Sequence, residues 1–399
     1  MSLNAEILSW ARQKAGFSVE DAVQAINLGD ARGVAGEDRL LAFERGEDVP
    51  SKALLRRMAK QYRRPLLTFY LSKIPEDSKT GHDFRTLHDF DAREDSYLSA
   101  LLREIKARQS LVRDLLTDDD QKPLDFVGSL NTEIAIAAAA EIIMDRLNFD
   151  RQHFQGHNQG VAGAFSYLRS CVEEAGIFVL LASNLGSWQT TISVNVFRGF
   201  AIADPIAPFV VINDQDARTA WAFTLLHECV HLWLGQSGVS GSVLEGSDVE
   251  RYCNRVAARI LLEPEDLAVL DIGAMASLDQ KARLISDFAE ARNLGRSMVA
   301  FQSYQVGLLN QDEFGDIFRT FAAQWRAMKS AAKERNRESD GGPNYYVVKR
   351  HRLGERLLGV VRSALSDGAI SPTRASRMLG VKPTSVYQLM YPPLRRAEP

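Results

Sequence analysis

Apolar positions recur at helical spacing along most of the chain, and one stretch near the middle breaks that rhythm. Ile7, Leu8 and Ala11 mark a first short helix, broken at Gly16. Ser18 and Asp21 stand as an N-cap and its acidic partner, opening a helix to about Ile26. After Gly29, Gly33 and Gly36 comes a helix near Glu37–Glu44, closed by Gly46. Pro50-Ser51 starts another that ends before Pro65. Residues 75–97 are polar and read as a linker. The runs 98–116 and 134–147 are amphipathic helices, the second rich in Ala. The change of rhythm comes at 176–182, 191–203 and 208–213, where Val, Ile and Phe between turn residues predict strands. The last two, separated by Asp204-Pro205, form a candidate hairpin. Helices resume with 221–235, ending at Gly235, and 248–262, stopped before Pro264. The pattern divides the chain into a helical module at 1–74, a linker at 75–97, a body at 98–334 and a basic helical module at 345–399. The expected fold class is α+β, mainly α, with one small sheet.

Composition narrows the class without naming a function. The 399 residues are 45% hydrophobic and 25% charged, which sets aside disordered, collagen-like and disulfide-framework chains. Three scattered cysteines, no signal-peptide pattern and no run of 18 apolar residues point to a soluble cytoplasmic protein with no membrane partner. The net charge of −3 conceals an asymmetry. Residues 1–75 carry +3, residues 76–328 carry −14, and residues 329–396 carry +9.

The candidate chemistry lies in His227-Glu228-Cys229-Val230-His231. On a helix, residues i and i+4 are about 400° apart, so both imidazoles leave one face within reach of a single ion. Glu228, about 100° round, reaches a water at that ion rather than the ion itself. This is the arrangement of a zinc hydrolase, in which the glutamate takes a proton from water and hands it to the leaving amine. A third ligand is required. Glu250 is the first candidate, nineteen residues after His231 on the next helix, with Asp248 and Glu245 as alternatives. Cys229 and Cys253 fall nearby but read as small buried residues among apolar neighbours.

VFRGFAIADPIAPFVVIND, TLLHECVHLWLG and ERYCNRVAARILLEP together resemble the core of the ImmA/IrrE family of metallopeptidases. The family's second helix has the form E-x-x-x-N-x-x-A-A-x-x-L-L-x-P. Glu250, Asn254, Ala257, Ala258, Leu261, Leu262 and Pro264 follow it in order, and Glu263 departs from the usual Met. The resemblance implies a zincin-like core, Zn²⁺ on His227, His231 and Glu250, and Glu228 as the base. It also implies a protein substrate, often a helix-turn-helix repressor, cleaved in a stress or mobile-element response. FERGEDVPS and LLRRMAKQYRRPL are similar to the XRE-type helix-turn-helix modules fused to such peptidases. DFRTL (83–87) resembles a connector.

Both ends invite a nucleic-acid reading, with unequal support. The helix near Gly36–Glu44 carries Glu37, Asp38 and Glu44 against one base, Arg39, which opposes phosphate contact and favours protein docking. Arg56, Arg57, Arg63 and Arg64 keep phosphate contact open. In the C-terminal module, Gly380 turns between two short helices. The second exposes Lys382, Thr384, Ser385, Tyr387 and Gln388 as candidate DNA contacts. The competing reading of this module is a helical cap on the peptidase. The competing function is a DNA-binding regulator or antitoxin-like component in which the peptidase fold serves docking.

Overall fold

Short-range capping fixes where the N-terminal helices begin and end. The computed structural model describes residues 3–75, 92–240, 247–274, 277–338 and 344–391. The connector at 83–87 therefore lies outside the described residues. Helices α1 (Ala5–Lys14), α2 (Val19–Ala25), α3 (Gly36–Arg45) and α4 (Lys52–Gln61) are followed by a 3-10 turn at Leu66–Tyr70. Ser18 and Ser51 cap α2 and α4 through their hydroxyls, and Gly46, at φ +74°, ends α3 in the left-handed region where glycine is favoured. Ile7, Leu8, Ile26, Leu40, Met58, Tyr62 and Phe69 form a core private to this part. These residues belong to a compact unit formed by residues up to Ile105 with Asn184–Val196.

One ion pair inside that module corrects the sequence picture of α3. Glu44 does not face outward: its carboxylate takes Arg12 Nε at 2.7 Å and Nη2 at 3.0 Å, while Arg12 Nη1 donates to the Phe17 carbonyl at 2.9 Å. The hydrogen bond to Glu44 raises the Arg12 pKa against the opposing effect of burial. Arg39 is half-buried and donates to the Gly29 carbonyl at the surface. Of the four charges read on α3, Glu37 and Asp38 are therefore the exposed ones. Glu44→Gln removes the charge from a bidentate, nearly buried pair. It is expected to cost about 1.5–3 kcal/mol, measured by urea denaturation followed through the N-terminal module.

The second unit comprises Lys106–Ser183 and Phe197 onward. Its elements begin within α5 (Ala92–Asp118) and continue with α6 (Ile136–Leu147), α7 (Arg151–Gln155) and α8 (Gly160–Glu174). A sheet of β1 (Phe178–Leu181), β2 (Gly199–Ile202), β3 (Phe209–Ile212) and β4 (Gly238–Ser240) follows, in the order β1-β3-β2-β4. Between β3 and β4 runs α9 (Arg218–Trp233), and after β4 comes α10 (Asp248–Leu261). Helices α11 (Leu278–Ala291), α12 (Arg296–Gln305) and α13 (Gln311–Glu338) complete the body. The expected hairpin is present, with β2 antiparallel to β3 in the register Gly199↔Ile212 to Ile202↔Phe209; β1 joins β3 in parallel. Every residue of β1, β2 and β3 is buried, which explains their unbroken apolar runs.

Two strand expectations change. The run 191–203 becomes strand only from Gly199, because side chains upstream bond to nearby backbone: Thr191 Oγ1 to the Trp188 carbonyl, and Ser193 Oγ to the Asn195 amide. β4 is three residues long, too short for a periodic signal.

The basic C-terminal segment folds as α14 (Tyr345–Leu353), α15 (Glu355–Ser366), α16 (Pro372–Leu379) and, after a 3-10 turn, α17 (Val386–Met390). α14 and α15 pack on β1, one of the two edge strands of the sheet. The junction is polar and buried. The Glu173 carboxylate accepts the Glu355 and Arg356 amides at 3.0 and 3.1 Å, closing the N-terminus of α15, and pairs with Arg169 at 3.0 Å. Arg169 also donates to the carbonyls of His351 and Val179. At Gly354 (φ +80°), a Cβ would stand 2.1 Å from Glu173 Oε1 and 2.8 Å from the Val179 carbonyl, so only glycine lets the chain pass.

Candidate metal centre

The helix that carries both histidines is held at its C-terminal end. Gly235 takes a left-handed φ of +67°, and Gly128 and Leu130 donate their amides to the Leu232 and Trp233 carbonyls at 3.0 and 2.9 Å. Trp233 is wholly buried and stacks on Phe126. α9 is thus buried from Thr224 through Trp233, and its polar side chains are enclosed with it. α10 packs against it. The Ser247 hydroxyl caps α10 by accepting the Glu250 amide, which places the Glu250 carboxylate in the first turn, where the helix dipole favours negative charge.

The three ligands expected from the sequence converge. His227 Nε2 and His231 Nε2 lie 3.2 Å apart; Glu250 Oε2 is 3.1 Å from the first and Oε1 is 3.2 Å from the second. Both histidines are buried, and the Glu250 side chain is 29% exposed, so the cluster opens to solvent on the Glu250 side. A tetrahedral zinc ion with bonds of about 2.0–2.1 Å separates its ligand atoms by roughly 3.3–3.4 Å. The observed spacings lie close to that edge, and two imidazole nitrogens with one carboxylate oxygen form a donor set that suits zinc.

The electrostatics also favour a cation. Burial lowers the His227 pKa and keeps that ring neutral. Burial opposes the His231 imidazolium too, but hydrogen bonds to Cys253 and Glu250 outweigh it, and its pKa is raised well above the ordinary value. Partial burial opposes the Glu250 carboxylate, but hydrogen bonds to the two rings outweigh it and hold its pKa far below the usual carboxylate range.

Glu228 is fully buried. Gly199 of β2 runs beside it: a Cβ there would lie 2.7 Å from Glu228 Oε1 and 2.7 Å from Thr224 Cγ2. Gly199 lies within the run VFRGFAIADPIAPFVVIND, where the sequence reading gives it no role of its own, although a lone glycine inside a strand signals such close approach. Cys253, expected as no more than a small buried residue, places its Sγ 3.8 Å from His231 Nδ1. Among the alternative ligands, Asp248 is exposed and paired with Arg251, and Glu245 lies outside the described residues. Glu263, the departure from the family pattern, pairs with Arg151 and Arg259 at the end of α10 and leaves the ligands untouched.

The five candidate nucleic-acid residues occupy the other end of the unit's chain. Lys382, Thr384, Tyr387 and Gln388 are exposed and Ser385 is half-buried. The Tyr346 hydroxyl of α14 bonds Gln388 and reaches Ser385 Oγ at 3.5 Å, so two of the five are engaged within the module. The expected second helix, near Pro383–Met390, divides into a 3-10 turn and the five-residue α17.

Residues 173–275 match the peptidase M78 family model, described as IrrE N-terminal-like domain. That span runs from the end of α8 through the sheet, α9 and α10. No curated protein and no solved structure matches the chain. Among the described residues, no helix is long and apolar enough to cross a membrane. The chain is a mainly helical α+β protein with one small sheet, and the region that matches the family model holds a His-His-Glu cluster whose geometry suits a divalent metal.

Proposed function

We propose that this chain is a cytoplasmic zinc metallo-endopeptidase that cleaves a regulatory protein, such as a helix-turn-helix repressor, in a stress or mobile-element response. The observation that carries the reading is the convergence of His227, His231 and Glu250 on one point of a helix that also bears Glu228. Zinc bound there supplies Lewis acidity that polarises the scissile carbonyl and acidifies water. The chain's own residues do the rest. Glu228, fixed between α9 and the close pass of Gly199, accepts a proton at a carboxylate oxygen from the attacking water. It then delivers that proton to the leaving amine nitrogen. The cluster meets solvent on the Glu250 side, where a substrate would approach, while the buried faces of α9 keep bulk water from the histidines. The test is metal analysis of the purified chain together with incubation with any helix-turn-helix repressor found encoded beside it. One zinc per chain and a single cut are expected; a metal-free chain that cleaves nothing overturns the reading.

A second activity, DNA contact through the C-terminal module, is supported by the exposed Lys382, Thr384 and Tyr387 within the +9 region. Deleting residues 345–399 is a poor test, because α14 and α15 cover β1 and Glu173 caps α15. The substitution Lys382→Ala with Tyr387→Ala leaves that junction alone. If the module neutralises phosphates, the pair lowers affinity for duplex DNA and reduces the salt slope by about 1 for each phosphate that Lys382 no longer neutralises. Fluorescence anisotropy against salt reads both, and an unchanged slope removes these residues from DNA binding.

A further inference from the structure

α10 presents two groups to one imidazole. Glu250 and Cys253 are three residues apart and so neighbour each other on one helix face. The carboxylate meets the Nε2 side of His231 at 3.2 Å, and the thiol meets the Nδ1 side at 3.8 Å, within hydrogen-bond reach for sulfur. His231 is 3% exposed and Cys253 fully buried, so solvent does not serve the outer nitrogen. A ligating histidine ordinarily gives its second ring N–H to a carboxylate, a carbonyl or water, which fixes the tautomer and the ring's angle. A carboxylate at position 253 would carry a second buried charge beside Glu250 and need its own partner. A thiol accepts weakly, needs no further partner and tolerates the apolar surroundings between α9 and α10.

We propose that Cys253 is the positioning residue of the metal site, accepting the Nδ1–H of His231 and so presenting Nε2 to the ion. The assignment rests on the metal-site reading above. It sets Cys253 apart from Cys229, which is equally buried and follows Glu228 on α9.

The experiment uses the full chain and zinc alone. Zinc affinity is measured by competition with a chromophoric chelator for wild type, Cys253→Ser and Cys253→Ala. Long-range ¹H–¹⁵N spectra of the zinc-loaded proteins report the His231 tautomer. Cys253→Ala is expected to weaken zinc binding about 10–100-fold and to blur the single Nδ1–H tautomer. Cys253→Ser, which keeps an acceptor, is expected to retain most of the affinity and the wild-type tautomer. If the alanine variant fails to fold, Cys253→Val removes the acceptor while filling the space. Wild-type affinity in the variants lacking an acceptor, or equal losses in the serine and alanine variants, overturns the proposal. Zinc that fails to bind wild type refutes the metal site itself, a different result from either.

Discussion

Glu228→Gln is expected to keep one zinc per chain and to lose about 10²–10⁴-fold of the cleavage rate. The amide matches the carboxylate in shape, so the slot beside Gly199 and Thr224 still holds it and the three ligands are undisturbed. What the amide lacks is the ability to accept a proton from water and return it to the leaving nitrogen. The side chain has no exposure to solvent, so a buffer base has little access to replace it. Metal content by atomic absorption and single-turnover cleavage of a protein substrate that the wild type cuts give the two readouts. Full-rate cleavage by the glutamine variant would remove Glu228 as the base. Loss of zinc along with activity would instead assign Glu228 a structural part in the site.

The second large effect concerns the metal and stability together. An ion that binds only the folded chain stabilises it by about 4 kcal/mol at roughly a thousand times its dissociation constant. At about 2–4 °C per kcal/mol for domains of 150–250 residues, wild type should gain roughly 8–16 °C in melting temperature under saturating zinc. His231→Ala should lose nearly all of that gain, and calorimetry with and without a chelator compares the two proteins. The pH dependence has a definite sign. His231 has a raised pKa in the metal-free protein, so zinc must displace its proton. Affinity therefore falls as pH falls below that raised value, by about tenfold per pH unit for one proton displaced. Zinc affinity that is flat from pH 8 to pH 6 would show that no proton is released.

Local chemistry explains why much of this is legible in the sequence. Helix ends follow from single residues: Ser18 and Ser51 cap α2 and α4, and Gly46 and Gly235 end α3 and α9, as their positions in the sequence suggest. The i,i+4 spacing of His227 and His231 fixes their common face before any tertiary contact forms. The strand cores are equally clear, since fully buried strands have no polar face to interrupt them. The start of β2 is not, because serine, threonine and asparagine upstream divert the backbone into turns despite the β-branched residues among them.

What crosses between elements is beyond spacing. Asp248, Glu250 and Glu245 are all open as third ligands in the residue pattern. The packing of α10 on α9 separates the two described ones, with Glu250 facing the histidines and Asp248 in solvent. Glu44 reads as an outward acid on α3, yet its charge is spent on Arg12, thirty-two residues away. Cys253 looks like one small core residue among several, and only the packing of α10 on α9 gives it a ring nitrogen to meet. In the residue pattern the +9 tail is open between a DNA-contacting module and a helical cap, and it is Gly354 and Glu173 that join its first helices to the sheet. By itself, then, the sequence determined the helices, the buried strands and the paired imidazoles, because capping and periodicity act within a few residues. The tertiary structure decided which carboxylate completes the cluster, which thiol stands behind it and which charges are turned inward, because those depend on how separate elements pack.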